Sequence, residues 1–320
     1  MSNQITTSMV KQYGSNVYHL VQQKGSRLLN LVDVETQQGE EQFFEQIGAV
    51  EARERVGRHS KVIYNDTPHA RRKVMFRDFY YADMCDKEDK LRTIIDPTNQ
   101  YAVAARMALA RKIDDELIAA MLGTAYTGKD GTNPVELTDA NKLAACDGTD
   151  ATNLTVFALR KAKKYFWDSE AVGYQGDGLY EDELNAVVDP SQLEFMLGQI
   201  EVTNADYNSV KALVQGDVNT FMGFKFVRSK RLPVTDADIT TLDPATGSII
   251  GGGVTVTAGA RRCIFFQRFG MKAVMPRSIF TRITPEMAEY HYNTQVYAAM
   301  SFGATRMEEE RVLEMICTEV

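Results

Sequence analysis

The stretch Asp96–Leu122 reads DPTNQYAVAARMALARKIDDELIAAML and is followed by Gly123. Aspartate can cap a helix N-terminus and proline fits the first helical position, while glycine commonly follows the last turn. These signals predict one helix over 97–122, roughly 39 Å long at 1.5 Å per residue. An apolar stripe recurs along it every four residues, at Tyr101, Ala105, Leu109, Ile113, Leu117 and Met121. A helix of this length serves as a backbone against which other elements pack.

β-type alternation appears on both sides of this helix. Before it, the runs Lys61–Tyr64 and Lys73–Tyr80 flank a turn at Pro68 and predict a long two-stranded excursion. After it, 124–152 and 239–259 are rich in Gly and Thr and are predicted to be loops. Further helices are predicted at 153–167 and 191–197, and strands at 184–188, 221–227, 263–266, 290–302 and 311–318. This order of elements indicates the α+β class.

The composition is that of an ordinary soluble globular protein. The chain has 320 residues, of which 44% are hydrophobic and 25% charged, and its net charge is −7. These values exclude a disordered or collagen-like chain, and the acidic balance disfavours a protein that coats phosphates. Neither a signal peptide nor a run of 18 apolar residues is visible, so we expect neither that route of export nor membrane insertion. The four cysteines form no CxxC pair, which predicts reduced thiols.

No motif for catalysis or ligand binding stands out. Gly251–Gly253 lacks the following Lys and Ser or Thr of a phosphate-binding loop, and no G-x-S-x-G nucleophile motif occurs. The four histidines have no metal-ligand spacing, and the consecutive acids at 114–116 point in different directions on a helix. We therefore predict a protein that is not an enzyme and that needs no cofactor and no metal ion.

Charge is distributed unevenly along the chain. Residues 51–77 carry eight Lys or Arg against three acids, a local net charge of +5 in an acidic protein. Such a segment suits docking onto an acidic surface of another copy of the same chain. The extended segments also exceed what one subunit can bury, which favours a protein that assembles.

Four motifs in the first third of the chain then carry a family resemblance: SNVYHLVQQKGSRL at 15–28, RHS at 58–60, DTPHARR at 66–72 and DKEDKLR at 86–92. Together they resemble the major capsid proteins of tailed bacteriophages that have the HK97-like fold. The second half is similar only in pattern, through VVDPSQL at 187–193 and MGFKFVRS at 222–229.

The resemblance implies a subunit with four named regions. These are an N-terminal arm at 1–40, an extended β-hairpin called the E-loop at 41–85, a peripheral (P) domain at 86–177 built on the long spine helix 97–122 and resumed at 262–320, and an axial (A) domain at 178–261.

The resemblance also implies a function and a set of partners. Such proteins form hexamers and pentamers that close into an icosahedral head around packaged double-stranded DNA, assembled in the cytoplasm of the host bacterium. Because the arm begins almost at Met1, we expect a separate scaffolding protein, besides a portal protein, a candidate decoration protein and nonspecific contact with DNA. Covalent cross-linking through Lys61 or Lys73 is not expected, since no partner Asn is identifiable.

Assembly contacts are predicted by charge. Arg71 and Arg72 stand beside the Pro68 turn, where they could hold a neighbour's carboxylates in bidentate contacts. The full set of predicted contact residues is Lys24, Arg27, Arg58, Lys61, Arg71, Arg72, Lys73, Arg77, Asp86, Glu88 and Asp89.

Two alternatives from other classes stay open at this point. One is a soluble α+β enzyme with a site in 178–261, using acids such as Asp236 and Asp238. It predicts a small defined oligomer and a pocket of perturbed carboxylates. The other is a different virion component, such as a tail or connector protein, which predicts a ring or a tube.

Overall fold

A computed structural model describes residues 20–37, 39–55, 57–58, 61–86, 98–145, 152–171, 183–198, 220–235, 239–242, 254–256, 259–287 and 290–318. The helices are α1 (Thr98–Leu122), α2 (Val156–Asp168) and α3 (Pro190–Leu197). The strands are β1 (Asp33–Glu35), β2 (Glu41–Ile47), β3 (His69–Met75), β4 (Arg77–Cys85), β5 (Ala125–Thr127), β6 (Asn133–Val135), β7 (Lys142–Ala144), β8 (Leu184–Val188), β9 (Thr220–Phe221), β10 (Phe224–Arg228), β11 (Ile239–Leu242), β12 (Val254–Val256), β13 (Arg261–Gln267), β14 (Met271–Met287), β15 (Asn293–Arg306) and β16 (Val312–Cys317).

Helix α1 confirms the long helix that the sequence predicts. Its described part begins at Thr98, so the predicted capping residues Asp96 and Pro97 lie outside the described residues. The apolar stripe from Ala105 to Met121 is buried, whereas Tyr101 is partly exposed. At the C-terminus, the backbone N–H of Gly123 donates to the carbonyl of Ala119, and a Cβ at position 123 would lie 2.6 Å from that oxygen. Glycine is therefore required there by the close approach of the backbone.

The two-stranded excursion is present, but its strands differ from the prediction. Strands β2 and β3 are antiparallel, in register from Glu41 opposite Met75 to Ile47 opposite His69, and β5 and β6 extend the sheet beyond β3. The predicted strand at 61–64 was wrong, because these residues have no hydrogen-bonding strand beside them despite their alternation. The N–H of Gly48 donates to the carbonyl of Pro68, so the described residues between these two positions belong to the tip of a hairpin whose stem is β2 and β3.

A six-stranded sheet in the order β7-β16-β13-β8-β10-β9 forms the main core. Every residue of β8 and β16 is buried. Helix α2 packs on this sheet through Phe166, whose ring lies 6.2 Å from that of Phe224. Side-chain caps begin both helices after α1, since Thr155 accepts from the N–H of Ala158 and Asp189 from the N–H of Ser191. The predicted strand at 184–188 and the helix that follows it are confirmed.

Two segments predicted as loops contain strands. The segment 124–152 includes β5, β6 and β7, and 239–259 includes β11 and β12, which pair antiparallel. Polar, Gly-rich composition hides these strands because backbone pairing does not require apolar side chains. The predicted strand 221–227 is interrupted by a turn at Met222 and Gly223, both with positive φ.

The longest strands complete a four-stranded sheet in the order β1-β14-β15-β4. Strand β15 confirms the predicted strand at 290–302 and runs on to Arg306, whereas β14 was not predicted. Strand β1 runs parallel to β14, with Asp33 opposite Lys272.

The chain divides into two compact units, one of 1–26, 78–112 and 277–301, and one of 27–77, 113–276 and 302–320.

Candidate assembly surfaces

The stem of the β2–β3 hairpin is anchored by a buried network of charges. Arg72 of β3 is 7% exposed; its Nη2 donates to both carboxylate oxygens of Glu309, at 2.9 and 2.6 Å, and its Nε donates to the carbonyl of Met307 at 2.9 Å. Gln46 of β2 donates to the same carbonyl at 2.7 Å. Both strands of the hairpin are thus held by the turn that follows β15.

Arg306 connects the same turn to the end of α1. Its side chain is 0% exposed, and its Nη1 donates to the carbonyls of Met121 and Gly123 at 2.8 and 2.9 Å. Carbonyls at a helix C-terminus lack intrahelical donors, so a guanidinium satisfies them and opposes the negative end of the helix dipole. Nη2 donates to the carbonyl of Val135 at 3.1 Å, and Nε lies 3.4 Å from Glu309. Burial lowers the pKa of Arg306, and the charge of Glu309 opposes that shift.

Other basic residues of β3, and Arg77 at the start of β4, also contact acids of their own chain. Arg71 pairs with Glu45 at 3.0 Å, Lys73 with Glu41 at 2.5 Å and Arg77 with Glu116 at 3.5 Å. The Arg71–Glu45 pair is well exposed, whereas Lys73 is mostly covered. Much of the positive charge that the sequence shows between 69 and 77 is therefore balanced within the subunit.

The hairpin tip has the opposite character. Val62, Ile63 and Tyr64 are 76%, 68% and 87% exposed, although they are consecutive and apolar. Arg58 and Lys61 are exposed beside them. The tip thus combines an apolar segment with positive charge, the composition that a protein–protein contact needs.

Two predicted contact residues, Lys24 and Arg27, lie in the segment that precedes β1. Lys24 is exposed. The backbone N–H groups of Arg27 and Leu28 both donate to the carboxylate of Asp114, which is 1% exposed, and the Arg27 side chain donates to the carbonyl of Arg228. Arg27 therefore contacts α1 and β10 of its own chain.

The predicted acidic partners are described only in part. Asp86 is exposed at the end of β4, while Glu88 and Asp89 lie outside the described residues. The acids at 114–116 separate as expected for one helix: Asp114 accepts from the backbone N–H of Arg27, Asp115 pairs with Arg231, and Glu116 pairs with Arg77. Sequence reasoning did not find Glu309, because it stands in the run Glu308-Glu309-Glu310, which resembles an ordinary charged surface.

The acids Asp236 and Asp238 of the enzyme alternative lie outside the described residues. The described chain does form a cleft of about 790 Å³ lined in part by Asp189, Gln192, Lys230 and Arg261. The side-chain amide of Gln192 in this cleft accepts a hydrogen bond from the N–H of Leu154 and donates to Asn153 Oδ1 and to the carbonyl of Thr318. Across the described ranges, no group of three or more His, Cys, Asp or Glu is arranged to hold a metal ion. No helix in that part of the chain is long and apolar enough to cross a membrane.

Among the described residues, Cys85, Cys263 and Cys317 are buried and form no disulfide. Their reduced state agrees with the expectation for these three, while Cys146 lies outside the described residues. The neighbouring Cys263 thiol and burial raise the pKa of Cys317, so it stays protonated and unreactive.

Comparison with known proteins identifies the architecture. A family model described as phage capsid protein matches residues 5–319. The capsid structure of the cyanophage P-SCSP1u is similar with a TM-score of 0.71 at 17% identity, covering 100% of this chain and 97% of that one. The capsid of Ralstonia phage GP4 is similar with a TM-score of 0.72 at 10% identity, covering 98% and 96%. The capsid of Helicobacter pylori bacteriophage KHP30 is similar with a TM-score of 0.69 at 9% identity, covering 99% and 97%.

No curated protein sequence matches the chain. The predicted α+β class and HK97-like fold are confirmed by the solved capsids, whose fold extends over nearly all of this chain. A match from residue 5 to residue 319 leaves almost nothing of the chain outside the family model. This chain therefore belongs to the phage capsid protein family, and it is a major capsid protein, a structural component of the icosahedral virion shell.

Proposed function

We propose that this subunit joins hexamers and pentamers of the phage head, enclosing packaged double-stranded DNA, and that the hairpin tip is one of its contacts with neighbouring subunits. Members of this family assemble with copies of themselves into capsid oligomers. The hairpin occupies the region that the resemblance names the E-loop. The proposal includes the four regions of the subunit, namely the arm, the E-loop, the P domain and the A domain, at their predicted boundaries.

The observation that carries the proposal is the exposed tip. Val62, Ile63 and Tyr64 project into solvent from a stem whose own apolar residues, Phe44 and Val74, are buried. Burying apolar surface is worth about 25 cal/mol per Å², so covering this segment in a neighbour's surface stabilises a shell in which the contact repeats in every subunit.

We divide the predicted contact residues according to the contacts that each one makes within its own chain. Arg72 has a carboxylate partner in its own chain, so we assign it to the anchoring of the hairpin. Arg27 also contacts its own chain. Arg58, Lys61 and Lys24 are the basic residues proposed to meet a neighbour, with Asp86, Glu88 and Asp89 as candidate partners by charge. Arg71, Lys73 and Arg77 have a secondary role in this proposal because each has a carboxylate partner in its own subunit.

Charge reversal at the tip tests the contact. We expect Arg58→Glu with Lys61→Glu to give folded subunits with unchanged melting temperature that form at least tenfold fewer shells, measured by sedimentation and negative-stain electron microscopy. The matched control is Lys129→Glu with Arg160→Glu, which changes the same charge at two other exposed positions. Normal shell yield from the tip variant would refute the proposed contact.

The remaining partners are proposed from the family resemblance. They are a separate scaffolding protein, a portal protein, a decoration protein and nonspecific contact with DNA, with assembly in the cytoplasm of the host bacterium. Expression with and without the neighbouring phage genes tests the first of these. Closed shells of uniform size that form from this chain alone would contradict the need for a separate scaffold.

A further inference from the structure

Glu309 lies between two buried arginines that belong to different parts of the fold. Arg72 comes from strand β3 of the hairpin, and Arg306 ends β15 and caps helix α1. The Oε1 atom of Glu309 lies 2.9 Å from Arg72 Nη2 and 3.4 Å from Arg306 Nε. One carboxylate therefore joins the stem of the hairpin to the end of the long helix.

Charge makes this carboxylate hard to replace. Two guanidiniums buried close together repel each other, and the positive charge of Arg72 helps to lower the pKa of Arg306. Glu309 opposes that repulsion with its own charge. In addition, Nη1 of Arg72 is buried without an acceptor among the described residues, so Arg72 depends on Glu309 and Met307 for its contacts.

The turn that carries Glu309 is itself fixed from several sides. The side-chain amide of Asn141 donates to the carbonyl of Glu309 at 2.5 Å, and the N–H of Met307 donates to the carbonyl of Gly270 at 2.8 Å. The hydroxyl of Tyr165 donates to Asn141 at 2.9 Å. The turn is therefore well anchored. It contacts the hairpin at Arg72, beside the backbone pairing of β3 with β5.

We propose that Glu309 is a positioning residue for assembly: its carboxylate fixes the direction in which the β2–β3 hairpin leaves the subunit. The inference rests on the proposed function of the hairpin as an intersubunit contact. The direction is important because the hairpin continues beyond Arg72, where the three residues back to His69 already span about 10 Å at roughly 3.3 Å per residue. A rotation of about 10° around Arg72 would move His69 by about 2 Å, which is enough to lose a packed contact.

The test measures local order in the full-length chain by hydrogen–deuterium exchange. In Glu309→Gln, which keeps the size of the side chain and removes its charge, we expect exchange in 41–47 and 69–75 to rise at least tenfold. Exchange in the core strands β13 and β16 should stay within twofold of the wild type. Glu310→Gln is the matched control, because it removes the same charge at the adjacent, exposed position and should leave both regions unchanged.

Two results would overturn the proposal. The first is unchanged exchange in the hairpin of Glu309→Gln, and the second is an equal rise in the hairpin and in the core strands, which would indicate general destabilisation. If Glu309→Gln fails to fold, Arg72→Lys replaces it. This variant keeps the charge but loses the two-oxygen contact, and the same local rise in exchange is expected.

Shell yield is measured separately from exchange, so that failure of the role of Glu309 can be distinguished from failure of the proposed assembly contact. A loosened hairpin together with a tenfold lower shell yield supports the positioning role. A loosened hairpin with normal shell yield would count against the hairpin as an assembly contact, and with it against Glu309 as a residue that positions for assembly. Unchanged exchange removes the role of Glu309 whatever the yield.

Discussion

The stem and the tip of the β2–β3 hairpin differ in how far their charged and apolar side chains are buried. At the stem, Arg72 is buried and pairs with Glu309, and Val74 is covered by its neighbours. At the tip, Ile63 and Tyr64 are more than two-thirds exposed and Arg58 projects into solvent. The stem makes its contacts within the subunit, whereas the exposed tip is the part that we propose to be covered by another copy of the chain.

Removing Arg306 should have the largest effect on the stem. Arg306→Met leaves the carbonyls of Met121, Gly123 and Val135 without this donor in a buried site. We expect the free energy of unfolding to fall by about 3–5 kcal/mol, measured by urea denaturation. Arg160→Met, at an exposed position of α2, should change it by less than about 0.5 kcal/mol. Similar losses in both variants would mean that the stem network adds no special stability.

Two glycines, one packed against the stem and one in the tip, allow the space available for a methyl group to be compared between the two regions. A Cβ on Gly303 would lie 2.5 Å from the backbone oxygen of Met75 at the end of β3, whereas a Cβ on Gly57 would meet nothing within 4 Å. Gly303→Ala should therefore lower the unfolding free energy by about 1–3 kcal/mol, and Gly57→Ala should leave it within about 0.5 kcal/mol. Thermal melts of the two variants measure the difference, and equal melting temperatures would contradict it.

High pH provides a graded way to loosen the support of the stem. Burial, aided by the charges of Glu310 and Glu309, raises the pKa of Tyr165 to about 12. Because the folded pKa lies above the unfolded value of about 10, this contribution is complete below pH 10 and is lost as the pH rises toward 12. Stability should fall by at most about 1.4 kcal/mol per pH unit in that window. Tyr165→Phe should flatten the decline, so parallel curves for the two proteins would refute the assignment.

The smallest effect on the subunit is expected at the tip. Ile63→Ser changes an exposed residue, so the unfolding free energy should stay within about 0.5 kcal/mol of the wild type. If the tip is the proposed contact, shell yield should nevertheless fall, because the substitution removes apolar surface that this contact buries between subunits. If Ile63→Ser unfolds more readily than the wild type and still assembles normally, the tip would contribute to the stability of the subunit and not to assembly, which would contradict the prediction.

The site itself was predictable only in part. Charge alone singled out Arg72 but assigned it to a neighbour, since its partner Glu309 is 237 positions away in the chain. Local spacing carries no information about a contact of that range. The exposed Val62, Ile63 and Tyr64 were recognised as apolar, yet their alternation predicted a strand that does not form. A strand exists only where another backbone supplies hydrogen bonds.

The sequence by itself determined the elements whose signals are local. The α1 stripe, the β8 strand followed by the Asp189 cap, and the motifs that resemble phage capsid proteins could all be recognised from neighbouring residues. The tertiary structure alone decided that β2 pairs with β3, that β14 runs for 17 residues, and that Arg306 caps α1. These features depend on which distant segments meet, and that is settled by the packing of the whole chain.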